Sequence, residues 1–465
     1  MSGTDAGVTT EPGTAGEPER PPAEATVGAT RQWPLVLVPA LLAVVGGAAV
    51  GLAPELVGPL LVAGLALVVM LTRLEVALGL VVAASLFEDY LAVLDPRATK
   101  VLAALAVGSW LVRRSRGRLH SGPRTKALAA AGVLAVALLA STAVNGVPDG
   151  GAVLVRWAGF LALLVVLVDT MRAGRLAPMT LARVYVGASA LAALAGIVSY
   201  TLGLDRFTDG LDRRVAGPIG DPNDLAFFLL AALPLSLAVR RPGWRPGVYD
   251  VATVLITLAL LGTFSRGALV GLVVMLVVAV VARQVSLQQL MGVLGSLLVL
   301  TALVVGLFPD LVGESLTAKD AVADRNVAER LQLWEAAGAM ALDAPLLGQG
   351  PGSFGAEHER WLDQLPVSAT NDLDVAHHTY LEVAAELGLL GLAGFVGLLV
   401  AGLRGAWRAW RRDGSALASA VLAALVGTMT AACFLSEQFF LPLWLLVALG
   451  AVLLVDEPPD PEPED

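Results

Sequence analysis

The chain has 465 residues, 56% of them hydrophobic and 15% charged, with a formal net charge of −9 and a mean hydropathy of +0.75. A soluble domain averages about 25% charged and about 45–50% apolar residues, so this composition excludes an ordinary globular soluble enzyme. The apolar runs, such as Leu161–Val168 and Leu272–Val281, are too long and unbroken for a membrane β-barrel of alternating strands. What remains is an all-α, polytopic membrane helix bundle of about fourteen spans.

Residues 1–32 are a Gly/Thr/Glu/Pro low-complexity stretch, expected to be a disordered cytoplasmic tail. No cleavable signal peptide is expected, because the N-terminus is neutral to acidic and the first apolar run begins near Trp33. The first eleven spans, within 33–308, are predicted at 34–53, 56–72, 75–92, 99–112, 127–144, 152–170, 180–203, 222–239, 248–264, 267–282 and 289–308. A large external loop follows at 309–377. Spans at 378–402, 415–434 and 438–455 precede the acidic tail 456–465, which carries part of the net charge. Cys433, the single cysteine, excludes an intrachain disulfide and a cysteine-based zinc site, and reads as a small apolar residue within a span. No internal repeat is evident.

Basic loops set the orientation. Arg113, Arg114, Arg116, Arg118, Arg124 and Lys126 crowd the link between spans four and five, and Arg172, Arg175 and Arg183 flank the link after span six. Arg240, Arg241 and Arg245 follow span eight, and Arg404, Arg408, Arg411 and Arg412 follow span twelve. All fall on one side, the cytoplasmic one, where both termini are expected as well. The remaining loops face outward. Within the longest, Ala323–Asp343 carries Val327, Leu331, Trp334, Gly338 and Ala341 at helical spacing, which predicts an amphipathic helix on the outer surface or capping the bundle.

External loops are normally poor in arginine, yet Arg206, Arg213 and Arg214 lie in the loop Leu204–Asp221. Arg266 occupies a tight outer turn, and Arg330 lies on the edge of the loop helix's apolar stripe. Five arginines on one face suggest recognition of a phosphate-like anion, which guanidinium grips bidentately. Snorkelling to lipid headgroups is the plainer reading. It suits Arg266, confined by two spans, and Arg214, inside a Gly/Pro/Asn turn, less well. Asn223, after Pro222, reads as a helix cap or a ligand contact.

The second signal is Ala376-His377-His378-Thr379-Tyr380-Leu381-Glu382, which holds two of the four histidines and opens span twelve. Glu382 and Glu386 follow as an i, i+4 pair. Ionisable groups inside a span rarely face lipid, and a histidine can serve as a general base near neutral pH. Interfacial histidines capping a helix are the plainer reading. Weaker matches are the Asp372-Leu373-Asp374 triplet, which could bind metal, and Gly348-Gln349-Gly350-Pro351-Gly352. The latter follows a helix and is interrupted by proline, so it reads as a tight turn and not as a dinucleotide loop.

Four blocks together resemble the O-antigen ligase/polymerase superfamily of bacterial membrane glycosyltransferases. They are Arg214–Leu230 (RVAGPIGDPNDLAFFLL), Thr263–Leu272 (TFSRGALVGL), Glu329–Gly355 (ERLQLWEAAGAMALDAPLLGQGPGSFG) and His377–Phe395 (HHTYLEVAAELGLLGLAGF). The family core has about twelve spans, so this chain looks extended by an N-terminal hairpin. His377 aligns with the family's histidine, and His378 stands where the family has asparagine; which is the base stays open, though the alignment favours His377. The resemblance implies a metal-independent, inverting enzyme without a cofactor, in the bacterial cytoplasmic membrane. Its donor would be a polyprenyl-diphosphate-linked glycan and its acceptor a glycan, lipid or protein hydroxyl at the outer face; no nucleic-acid partner is expected. Arg214, Arg266 and Arg330 would bind the diphosphate, His377 or His378 would deprotonate the acceptor, and Glu382 or Glu386 would orient the histidine. Arg213 and Asn223 would support them.

Ligase and polymerase share a donor and differ in acceptor, and ligase-like transfer is the preferred reading. The Ala/Leu/Val/Gly/Arg bias, with lysine only at Lys100, Lys126 and Lys319, suggests a GC-rich genome. A lipid-linked oligosaccharide flippase is the alternative of another class, but a transporter places unusual charges near the midplane, often on interrupted helices. A structural or sensory membrane protein is the plainest option.

Overall fold

The computed structural model describes residues 72–117, 125–203, 214–240, 247–292, 329–362 and 375–453, with isolated residues 64, 68 and 295. The chain divides into two compact units, Met1–Ala66 and Leu67–Asp465, and the architecture below is that of the second. Several expectations lie outside the described residues: both tails, the span at 34–53, nearly all of those at 56–72 and 289–308, Arg206, Arg213 and the Asp372/Asp374 pair.

Every regular element among the described residues is helical. In chain order these are α1 (Leu74–Ala84), α2 (Glu88–Ala92), α3 (Ala98–Ser115), α4 (Lys126–Asn145), α5 (Ala152–Arg172), α6 (Pro178–Leu202) and α7 (Pro222–Val239). Then come α8 (Val248–Gly262), α9 (Arg266–Val281), α10 (Ser353–Leu362), α11 (Thr379–Asp413), α12 (Ala416–Ala431) and α13 (Leu441–Leu453). A further helix covers residues 329–343. Five of these, α4, α5, α6, α7 and α11, are long and apolar enough to cross a membrane, and α8, α9, α12 and α13 are shorter apolar helices. The chain is therefore a multi-pass membrane protein.

Helix ends follow local chemistry. Thr125 accepts the Leu128 N–H at 3.2 Å to open α4, proline occupies the first turn of α6, and Gly203 closes α6 in the left-handed region. A helix that is apolar all round belongs in the interior. Accordingly Leu225–Ser236 of α7 and Leu441–Val452 of α13 are buried at every position. Small residues let backbones approach where lipid provides no hydrophobic drive. A Cβ on Gly394 of α11 would lie 2.7 Å from the Leu134 nitrogen of α4, and one on Gly402 would lie 2.8 Å from the Val447 Cα of α13.

Two expectations need correction. The span at 378–402 is part of a longer helix, α11, of 35 residues, which at 1.5 Å per residue would reach about 52 Å against a hydrocarbon core of about 30 Å. It is broken at Gly388 (φ 66°, ψ −169°), so Glu382 and Glu386 stand on the segment before the break. The 329–343 helix, in turn, buries Leu333, Ala336, Ala337 and Met340, while Leu331, placed on the expected apolar stripe, is 51% exposed. The buried set repeats at i, i+3, i+4 and i+7, and its alanines allow close packing against Phe354, Ala376 and Ala385.

The break in α11 is filled by the turn 345–350. Leu389 and Leu390 donate to the carbonyls of Pro345 (2.8 Å) and Leu346 (3.3 Å), and Gln349 and Gly350 donate to those of Ala385 (2.9 Å) and Glu386 (3.0 Å). These pairings satisfy the backbone groups that the break frees. A Cβ on Gly388 would overlap the Leu346 backbone. Gly388→Ala is therefore expected to cost more than about 1 kcal/mol, since it adds a steric clash to a positive φ. Thermal unfolding in detergent should show a lowered midpoint; an unchanged midpoint would contradict this packing.

Candidate active site

Four segments meet at one end of the bundle: residues 214–224, the α8–α9 turn, the N-terminus of α11 and the α12–α13 link. Val215 donates to the Gly262 carbonyl at 3.0 Å, and a Cβ on Gly267 would touch the Phe434 Cβ at 2.8 Å. Thr379 ties α11 to the link twice over. Its N–H points to the carbonyls of Ala432 and Leu435, both at 2.9 Å, and its hydroxyl donates to Leu435 at 2.7 Å.

Arg214 is held by its own neighbours. Its Nε donates to the Thr263 carbonyl at 2.6 Å and its Nη2 to Asn223 Oδ1 at 3.0 Å. The cap expected at Asn223 is Asp221, which accepts the N–H groups of Asn223 (2.6 Å) and Asp224 (3.1 Å); with Pro222 in the first helical position, Asp221 is the residue left at the cap. Asn223 positions Arg214. Arg266 is the first residue of α9, exposed, after Phe264 at φ 50° and the buried Ser265. Arg330, on the 329–343 helix, donates from Nη1 to the Phe434 carbonyl at 3.2 Å. Burial, then the fields of Arg214 and Arg266, hold its pKa below the usual guanidinium range, against an opposing pull from Asp221. Arg214 and Arg266, distant in sequence, thus both act on Arg330.

The two histidines do different work. His378 caps α11, its Nδ1 accepting the Leu381 N–H at 3.2 Å, and its ring stands edge-on to Trp334 at 5.2 Å. That nitrogen is occupied. His377, half-buried, has φ 49°, a strained backbone of the sort that clusters at functional sites. Its side chain makes no hydrogen bond among the described residues. Burial, and then the Arg330 charge, depress its pKa to about 4 while Asp221 pulls the other way. His377 therefore shares the field of Arg330 and Asp221.

The expected orienting role of the carboxylates takes another form. Glu382 is buried and receives the Ala376 N–H at 2.9 Å together with the side chains of Ser436 and Gln438. Glu386, also buried, receives the N–H groups of Gly352 and Phe354 at the start of α10, a favourable place for a carboxylate at a helix N-terminus. Neither hydrogen-bonds a histidine ring among the described residues. Glu382 holds His377 through the backbone of the preceding residue, and Glu386 secures the loop. Sequence reading missed Thr379 and the Ser436-Glu437-Gln438 link; its one signal is a polar run between two apolar stretches. Among the described residues no group of three or more His, Cys, Asp or Glu is placed to hold a metal ion.

In the comparison with protein families, residues 251–396 match the family described as O-Antigen ligase. The match takes in three of the four sequence blocks and, of the site, Arg266, Arg330, His377, His378, Glu382 and Glu386; Arg214 and Asn223 precede it. No curated protein matches the chain.

Proposed function

The chain carries an O-antigen ligase domain and so falls in the O-antigen ligase/polymerase superfamily, and from that premise we propose that it transfers a glycan from a polyprenyl-diphosphate donor to an acceptor hydroxyl at the outer face of the bacterial cytoplasmic membrane. The observation that carries the reading is the meeting of Arg214, Arg266 and Arg330 beside a neutral His377. Mutually repelling guanidinium groups are costly without an anion, and a diphosphate repays that cost with bidentate hydrogen bonds.

In this reaction His377 takes the proton of the acceptor hydroxyl as its oxygen bonds to the anomeric carbon. The bond from that carbon to the diphosphate oxygen breaks on the opposite side, and polyprenyl diphosphate leaves with the electron pair, giving inversion. The arginines stabilise the charge gathering on the leaving oxygen. A histidine held near pKa 4 is neutral at pH 7 but a weak base. An anionic donor offsets the Arg330 field and raises its proton affinity as the site fills. The proposed reaction uses no metal or other cofactor.

Arg330→Gln removes one cause of the depressed His377 pKa, so protonation moves toward the ordinary value near 6.5. The acid limb of kcat/KM, measured from pH 4 to 8, is expected to shift to higher pH in this variant; a limb that stays in place or moves down contradicts the coupling. Mass analysis of lipid-linked and surface glycans after deletion tests the whole reading. Accumulated full-length lipid-linked polymer indicates a ligase, the preferred form, and accumulated single repeat units a polymerase. Accumulation confined to the cytoplasmic leaflet indicates a flippase and overturns the reading.

A further inference from the structure

Next to the arginines lies a group of carboxyls that the transfer chemistry leaves unused. Glu437, in the α12–α13 link, is 1% exposed. Its N–H donates to Thr379 Oγ1 at 2.8 Å, yet its Oε2 has no hydrogen-bond partner among the described residues. An unpartnered buried oxygen of this kind is costly to leave unsatisfied and calls for a ligand. The charged groups acting on it are Asp224 and Asp221 at the start of α7, and the Tyr185 hydroxyl, which also lies within its field, is committed to the Phe228 carbonyl at 2.9 Å. Asp221 uses one oxygen, Oδ1, as the helix cap and acts on both Arg330 and His377.

We propose that Asp221, Asp224 and Glu437 form a sugar-hydroxyl subsite, which holds the glycan end of the lipid-linked donor beside the arginines that take its diphosphate. The inference rests on the donor reading above. Carboxyl oxygens at helix and link termini suit hydroxyls, each of which can donate to one oxygen and accept from another group. Burial, with Asp224 and Asp221 nearby, keeps the Glu437 pKa well above the usual carboxylate range. That shift favours the protonated form, which can donate as well as accept. Position adds to the case: Asp221 bridges the carboxyl group to Arg330 and His377, as the reacting sugar must bridge its own hydroxyls to the diphosphate and the base.

Binding to the full-length protein in detergent tests this with two probes, synthetic polyprenyl diphosphate and the lipid-linked glycan extracted from the source membranes. The wild type is expected to bind the glycan-bearing lipid at least about tenfold more tightly, a difference of roughly 1.4 kcal/mol. Glu437→Leu and Asp224→Ala should each lose most of that gain while keeping the affinity for bare polyprenyl diphosphate, which also reports a folded site. Retention of the full gain in both variants, or an equal loss for both probes, overturns the subsite. Arg266→Ala separates the two readings: it should weaken both probes, and unchanged affinity for bare polyprenyl diphosphate counts against the diphosphate site alone.

Discussion

His377→Asn is expected to lower glycan transfer by about 10²–10⁴-fold, the usual contribution of a positioned general base, whereas His378→Asn should keep it within about threefold, since asparagine is among the best helix caps. Sequence alone leaves the choice of base between the two histidines open, although the alignment with the family favours His377. The fold separates them: His378 Nδ1 is taken by the Leu381 N–H, while His377 faces the field of Arg330 with no hydrogen bond of its own among the described residues. Asparagine at 378 also restores the His-Asn pair of the family that the chain resembles. Initial rates with membranes containing donor and acceptor, normalised to inserted protein, measure both variants. Loss of transfer in His378→Asn with retention in His377→Asn would reverse the assignment.

Arg266→Ala should lower transfer by about 10²–10³-fold, comparable to removing one preorganised donor from a charge-stabilising site, without a matching fall in thermal stability. The reason lies in its surroundings. Arg214 is built into the structure through Thr263 and Asn223, and Arg330 anchors its helix to Phe434, so removing either also loosens the fold. Arg266 is exposed at the start of α9, where its charge gains nothing from the helix dipole, which favours anions at this end. Arg266→Lys should recover part of the activity, because a point charge lacks the planar fork that grips phosphate. Equal loss of activity and stability in Arg266→Ala would recast it as a structural residue.

Much of the bundle was legible in the sequence because a helix apolar on all sides announces both its type and its extent. The predicted spans at 127–144, 152–170, 180–203 and 222–239 match α4 to α7 to within two residues at either end. The break at Gly388 was not legible. A glycine in an apolar run reads as close packing, as Gly394 and Gly402 do, and its different role depends on the turn 345–350 arriving from elsewhere in the chain. The loop helix could be placed but not oriented, because two apolar stripes compete on it and tertiary contacts decide. The site divides in the same way. Arg214, Arg266, Arg330 and His377 stood out by residue type in unusual places, and the proposed site is built on them. Asp221, Asp224 and Glu437 did not stand out, since acidic residues at helix starts are ordinary and only burial makes Glu437 unusual.

Reconstitution bears most directly on the central claim: purified protein in liposomes, given the extracted lipid-linked glycan and an acceptor fraction from the same cells, assayed for glycosylated acceptor and released polyprenyl diphosphate. Wild-type protein should form both products in equal amounts, with EDTA present or absent, and His377→Asn and Arg266→Ala should form little of either. Absence of both products with the wild type, or undiminished transfer by the two variants, would contradict it.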